Sequence, residues 1–269
     1  MGKLRATPLL FLAVIFCCRP AAADPFASDP SVGRLSTARL LAGDDESASS
    51  RLAALEIALA PKAVTYWRTP GEAGVAPTLD FSTSENLARV ETLFPTPKHI
   101  KEAGGVVAGY ESKALFPLRV TPRDPKAAVK LDLKLDYAAC DKICLPVRAH
   151  LSLLLSPGAT SPHGAEIARA LAESVPKRLD VADARRMLTL RREGEAGGWS
   201  LDYHGGGALL DVFSEVADPF TLEASRAGEG FALTLYSASG ARAAPKEPLA
   251  ATLTLVTDQG AWEAPIVLQ

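Results

Sequence analysis

The chain has 269 residues, with 29 Lys and Arg against 31 Asp and Glu and a formal net charge of −2. That length accommodates two domains of ordinary size. The near-balance of charge provides no basic footprint, which argues against a nucleic-acid partner.

The first 23 residues read as a secretory signal peptide. Lys3 and Arg5 form a basic head, "PLLFLAVIFCC" is an apolar run shorter than the roughly 20 residues a spanning helix needs, and "RPAAA" supplies small residues for cleavage after Ala23. Bacterial lipidation of Cys17 would require a small residue before it, and Phe16 stands there, so Cys17 and Cys18 are expected to leave with the leader. The mature chain is then expected to keep Cys140 and Cys144 in an oxidising compartment. No later apolar stretch reaches spanning length, so the mature protein is expected to be soluble.

Short alternating runs follow: "ARLLAG", "LAALEIAL", "AVTYW", "ARVETLF", "KALFPLRV" and "AVKLDLKLDY", separated by Gly, Pro, Asp and Ser. In "VKLDLKLDY", Val129, Leu131, Leu133 and Leu135 point one way while Lys130, Asp132, Lys134 and Asp136 point the other. That pattern is one buried and one wet face of an antiparallel sheet. Residues 24–157 therefore read as a β-sandwich of roughly seven short strands. The acidic run "DDES" at 44–47 reads as a solvated hairpin tip, and Tyr66 and Trp67 as packing residues, with an aromatic near the cysteines able to exclude water.

"SPGATSPHG", residues 156–164, is a turn-rich break expected to link the two halves. Residues 158–269 read as a second, mainly β domain with one short helix, "AEIARALAESVPKRL", whose Ile167, Leu171 and Val175 share a face. Strands are expected at "MLTLRR", "WSLDYH", "ALLDVFSE", "FTLEASR", "FALTLYSA", "LAATLTLVT" and "WEAPIVLQ". "HGGG" at 204–207 has no Gly-x-Ser-x-Gly partner and reads as a hairpin, not an esterase loop.

Cys140 and Cys144 in "CDKIC" have three conceivable uses. As a staple the bridge would close so short a loop that it contributes only about 2 kcal/mol, against about 4.7 for a 100-residue loop. An extended strand would hold the two Cα atoms roughly 13 Å apart, so an oxidised pair requires a turn. A cramped, exposed disulfide exchanges readily, which favours thiol–disulfide exchange. Nearby Lys142 and Arg148 favour a thiolate and Asp141 opposes it. The third use is Cu(I) binding by both thiolates with an imidazole, His150 or His99. A non-catalytic protein whose cysteines only pin a turn also stands as an alternative.

"YAACDKICLPVRAHLSL", preceded by "LFPLRV", and "TYWRTPGEAGVAPTLDFSTSENLARVETLFPTPKH" at 65–99 together resemble the N-terminal periplasmic domain of the thiol–disulfide interchange protein DsbD and its stand-alone α-proteobacterial relatives. The resemblance runs from about residue 35 to 157. It implies an immunoglobulin-like sandwich in which Cys140 and Cys144 exchange thiols without a cofactor, Cys144 attacking an oxidised client first. It further implies a thioredoxin-like or membrane-embedded reductase as donor and oxidised periplasmic proteins as clients. DsbD has a longer spacer between its cysteines, and its cap loop carries an aromatic residue. The corresponding segment, "KHIKEAGGVVAGY" at 98–110, offers Val106, Val107 and Tyr110 as the expected cap. The membrane and thioredoxin-like domains of DsbD have no counterpart here, so electrons would come from a separate donor.

Overall fold

The computed structural model of the protein describes residues 24–102, 104–194, 197–228 and 230–269. The expected leader, with Cys17 and Cys18, lies outside the described residues. The first half contains β1 (Ser31–Val32), β2 (Ser36–Ser47), β3 (Ser50–Leu59), β4 (Val64–Tyr66), β5 (Thr78–Asp80) and β6 (Leu87–Thr92). It continues with β7 (Lys98–Glu102), β8 (Gly105–Glu111), β9 (Lys113–Pro122), β10 (Val129–Cys140) and β11 (Cys144–Leu155). Beyond the roughly seven expected are β1 and β5, pairings of two or three residues too short to show an alternation, and the β7–β8 hairpin, which lies in the segment expected as a cap.

One sheet has the order β1-β2-β3-β9-β6 and the other β11-β10-β4-β8-β7, with β5 also pairing with β10. Their inner faces close over a single core in which Leu40, Leu55, Phe116 and Leu118 meet Leu131, Leu133, Leu135 and Leu151. The expected immunoglobulin-like β-sandwich is therefore present. β10 alternates as its sequence dictates, with Val129, Leu131, Leu133 and Leu135 buried and Lys130 and Lys134 exposed. β3 does not alternate, because both its faces are covered. On its outer face, α1 (Gly164–Glu173) lays Ile167 against Leu41, Leu52, Ala54 and Leu115.

The segment joining the halves is tied down. Asp44 accepts from the Ser161 amide at 2.8 Å, Asp45 from the Gly158 amide at 2.8 Å, and the Ser161 hydroxyl donates to the Ala42 carbonyl at 2.5 Å. A Cβ on Gly164 would collide with the Asp44 carboxylate, so glycine is what lets that acid sit at the start of α1, where the helix dipole favours it. The "DDES" run ends the β2–β3 hairpin with Asp45, Glu46 and Ser47 exposed, as expected, and its Asp44 and Asp45 also anchor the joining segment.

Two helices are present where one was expected. α1 stops ahead of Pro176, which biases Val175 away from the helical region. β12 (Lys177–Arg178) follows, and then α2 (Val181–Met187), whose N-cap Asp180 accepts from the Asp183 amide at 2.7 Å. Seven residues are too few for a periodicity to show. The remaining strands are β13 (Leu188–Glu193), β14 (Gly198–Tyr203), β15 (Leu209–Val216), β16 (Thr221–Ala227), β17 (Gly230–Tyr236), β18 (Leu249–Thr257) and β19 (Gly260–Leu268). They form sheets β12-β19-β18-β15 and β13-β14-β17-β16 over a second core containing Trp199, Leu201, Leu233, Leu253 and Leu255. "HGGG" joins β14 to β15, which lie in different sheets, so it is a crossover and not a hairpin.

The two sandwiches meet along alternating charges. Arg119 pairs with Glu46 (2.7 Å) and Glu91 (3.3 Å), and Arg178 with Glu91 (2.7 Å) and Glu263 (3.3 Å). Arg68 pairs with Glu263 (2.5 Å) and Glu215 (2.6 Å). Burial disfavours the Arg68 charge, but Glu215 and Glu263 outweigh it and raise its pKa further. Beside this row, Phe213 of β15 enters the first core and meets Trp67 edge-on, with ring centroids 5.7 Å apart.

Burial works against the Glu91 carboxylate, yet Arg178 and Arg119 hold its pKa below the usual 4.5. Its contribution to stability is therefore complete above pH 4.5 and lost as pH falls through the lowered folded-state value. Urea midpoints measured from pH 3 to 7 should show that loss. Arg178→Met should shrink it, by no more than about 1 kcal/mol because the arginine is largely exposed. The β10–β11 ladder runs from Val129↔Leu155 to Cys140↔Cys144 and does not need the bridge to hold its register. The double variant Cys140→Ala/Cys144→Ala should accordingly unfold cooperatively, destabilised by at most about 2 kcal/mol and with a melting temperature only a few degrees lower.

Candidate functional site

β10 and β11 turn back on each other through Asp141, Lys142 and Ile143, so their last rung sets Cys140 opposite Cys144. The Cα atoms are 4.0 Å apart and the sulfurs are bonded. On its other side Cys140 pairs with Val64 of β4. The parity of β10 then decides orientation: Tyr137 and Ala139 face the main core, whereas Ala138 and Cys140 face outward into a separate cluster with Val64, Tyr66 and Val107, against which Ile100 packs. Cys140 is 1% exposed. Cys144, one rung across on an edge strand, is exposed, and Ile143 at the tip is 61% exposed.

Tyr66 crosses this cluster and brings its hydroxyl to the bridge. The oxygen lies 3.0 Å from Cys140 Sγ and 3.4 Å from Cys144 Sγ. It donates to Glu102 Oε2 at 2.9 Å. A hydroxyl has one proton, and a carboxylate accepts it better than a disulfide sulfur does. Burial, and then the Glu102 carboxylate, push the Tyr66 pKa up, so the phenol stays protonated and remains a donor. Gly74 lies against the ring: a Cβ there would sit 2.9 Å from Tyr66 Cδ1 and force the ring aside.

Of the expected cap residues, only Val107 belongs to the cysteine cluster. Val106 is 53% exposed. Tyr110 faces the other side of the sheet, packs on Phe116 and donates to the Pro95 carbonyl at 2.8 Å. Strand parity is the reason, since positions 107 and 110 of one strand point to opposite faces. From the 98–110 segment Glu102, which motif reasoning did not single out, joins the site through its bond to Tyr66. Tyr66 packs as its sequence position suggests, and in addition its hydroxyl contacts the bridge.

Neither imidazole considered as a copper ligand lies beside the cysteines. His150 pairs with Lys134 across the ladder, roughly 20 Å along the strands from the cysteine rung, and its Nε2 lies 2.7 Å from Asp132 Oδ1. His99 stacks on Phe213 and meets Asp211. Among the described residues, no group of three or more His, Cys, Asp or Glu side chains is arranged to hold a metal ion. Arg148 is paired with Asp136 at 3.1 Å, so its charge is answered locally. No helix among the described residues is long and apolar enough to cross a membrane.

Residues 37–156 match the family model described as "Thiol:disulfide interchange protein DsbD, N-terminal". No match was found among curated proteins. Among solved structures, the chain is similar to the N-terminal periplasmic domain of ScsB from Proteus mirabilis. That likeness has a TM-score of 0.69 at 19% identity, and covers 91% of this chain and 99% of that one. At that identity it speaks to the fold, and it extends to both sandwiches. The match over 37–156, carried on a two-sheet sandwich with a cysteine pair at its terminal rung, identifies the first half of the chain as a domain of the DsbD N-terminal family, a thiol–disulfide interchange module.

Proposed function

We infer that the protein relays electrons between a thioredoxin-like or membrane-embedded donor and oxidised client proteins in the periplasm, through Cys140 and Cys144. The observation that carries this reading is the unequal exposure of two bonded sulfurs: Cys144 is open to a partner and Cys140 is buried behind it. One sulfur meets the client and the other resolves the adduct.

The exchange balances without a cofactor. In the reduced protein the Cys144 thiolate attacks a client disulfide sulfur, forming a mixed disulfide and releasing the client's other sulfur as a thiolate that takes up a proton. The Cys140 thiolate then attacks Cys144 Sγ, restoring the Cys140–Cys144 bond and freeing the second client thiol. Two electrons and two protons pass to the client. A donor dithiol returns the pair to the reduced state by the same steps reversed. Tyr66 stands within reach of both sulfurs throughout and supplies the polar contact in an otherwise apolar cluster. Ile143 beside Cys144 offers an incoming chain an apolar foothold.

The cysteines should separate in kinetics. Cys140→Ala, which leaves the exposed sulfur, should form a mixed disulfide with oxidised glutathione on the order of tenfold faster than Cys144→Ala, which leaves the buried one. Mass spectrometry of quenched samples reads both rates. Equal rates would remove the assignment of Cys144 as the attacking residue. An intact pair that neither a thioredoxin-like reductant reduces nor oxidised peptides re-oxidise would remove the relay itself.

A further inference from the structure

β7 is gripped from both faces. Ile100 and Glu102 look outward, toward the cluster that holds Cys140, and Glu102 carries the bond to Tyr66. His99, of opposite parity, looks the other way and meets the second sandwich. Its ring stacks on Phe213 with centroids 4.3 Å apart and planes 20° from parallel, and its Nδ1 lies 2.9 Å from Asp211 Oδ2. The same Phe213 packs edge-on against Trp67, the residue after Tyr66. One phenylalanine of β15 therefore touches the strand that bears Glu102 and the residue adjoining Tyr66. Next to this contact, a cavity of about 440 Å³, lined in part by Glu72, Gly105, Val106 and Glu223, lies between the β7–β8 turn and the second sandwich. β8 is hydrogen-bonded to β4 on its other side, and on β7 it is His99 that reaches the second sandwich.

We propose that Phe213 and Asp211 are positioning residues for the dithiol: the second sandwich fixes the spacing of Glu102 and Tyr66, and so sets the polarity at both sulfurs without touching either. The proposal rests on the exchange reading of the site. While Glu102 is in place it takes the only hydroxyl proton of Tyr66 and adds a negative charge beside the sulfurs, and both effects disfavour a thiolate. A displaced Glu102 frees that proton for a thiolate, and a charge-assisted bond of this kind weakens steeply with distance and angle. The other charged groups at the site, Asp141 and Lys142, sit in the exposed turn between β10 and β11. Loosening β15 should therefore favour thiolate and make the pair a weaker reductant.

The test is thiolate content in the reduced full chain, read from iodoacetamide alkylation of Cys144 across pH, together with the redox equilibrium against glutathione. Glu102→Gln should raise thiolate at pH 7 by about threefold and shift the glutathione equilibrium in favour of the dithiol. Phe213→Ala should move both readouts the same way, and should add nothing in the Glu102→Gln background. His99→Gln, which keeps a side chain in place, serves as a milder variant if Phe213→Ala does not melt cooperatively. If Glu102→Gln shifts the titration while Phe213→Ala and His99→Gln leave it alone, or if their effect persists undiminished in the Glu102→Gln background, the positioning role is overturned and exchange still stands. If the unaltered protein does not exchange with thioredoxin-like reductants at all, the exchange reading fails, whatever the titrations give.

Discussion

The register of β10 on β11 is the constraint from which the site follows. A slip of one residue would turn every leucine of β10 from the core to solvent, so burial of Leu131, Leu133 and Leu135 locks the pairing over its whole length. The far rung then has no freedom: Cys140 must stand opposite Cys144, and its parity must carry it to the outer face of the sheet. The bond between the sulfurs is a by-product of hydrophobic patterning elsewhere in the strand. The ladder thus sets the cysteine pair in place from a distance.

The outer cluster gives that pair its surroundings. Val64, Tyr66, Val107 and Ala138 shield Cys140 from water, and Tyr66 and Glu102 introduce a hydroxyl and a carboxylate where polar groups are otherwise missing. A low local dielectric strengthens whatever those two groups do. The turn residues, by contrast, are open to solvent, so the surroundings are asymmetric across a single bond. The second sandwich stands behind this arrangement, joined through Arg68, Arg178 and the aromatic contact of Phe213 with Trp67.

Much of the sandwich was legible because its strands obey a simple parity. β10 announces both its faces in nine residues, and the cysteine turn is visible from the strands that flank it. Parity also shows where the reading failed. Val107 and Tyr110 cannot serve one face of one strand, and only the first reaches the cysteines. β3, read as a short alternating strand, is buried on both faces because α1, more than a hundred residues later, covers its second face. Glu102 lies 36 residues from Tyr66, and nothing local announces that β4, β8 and β7 will lie side by side and bring them together. Likewise nothing local announces that Asp44 and Asp45, at an exposed hairpin end, will meet the Ser161 and Gly158 amides. Non-local pairing, not propensity, accounts for each of these.

The docking of α1 has a consequence for how the molecule can be divided. The helix lies beyond the segment that joins the halves, yet Ile167 fills the outer face of the first sandwich among Leu41, Leu52, Ala54 and Leu115. A fragment ending at residue 157 would keep the cysteines and bare an oily wall on the opposite side. Such a piece would tend to self-associate, and it could not be moved between proteins as a portable cassette without bringing its helical cover along.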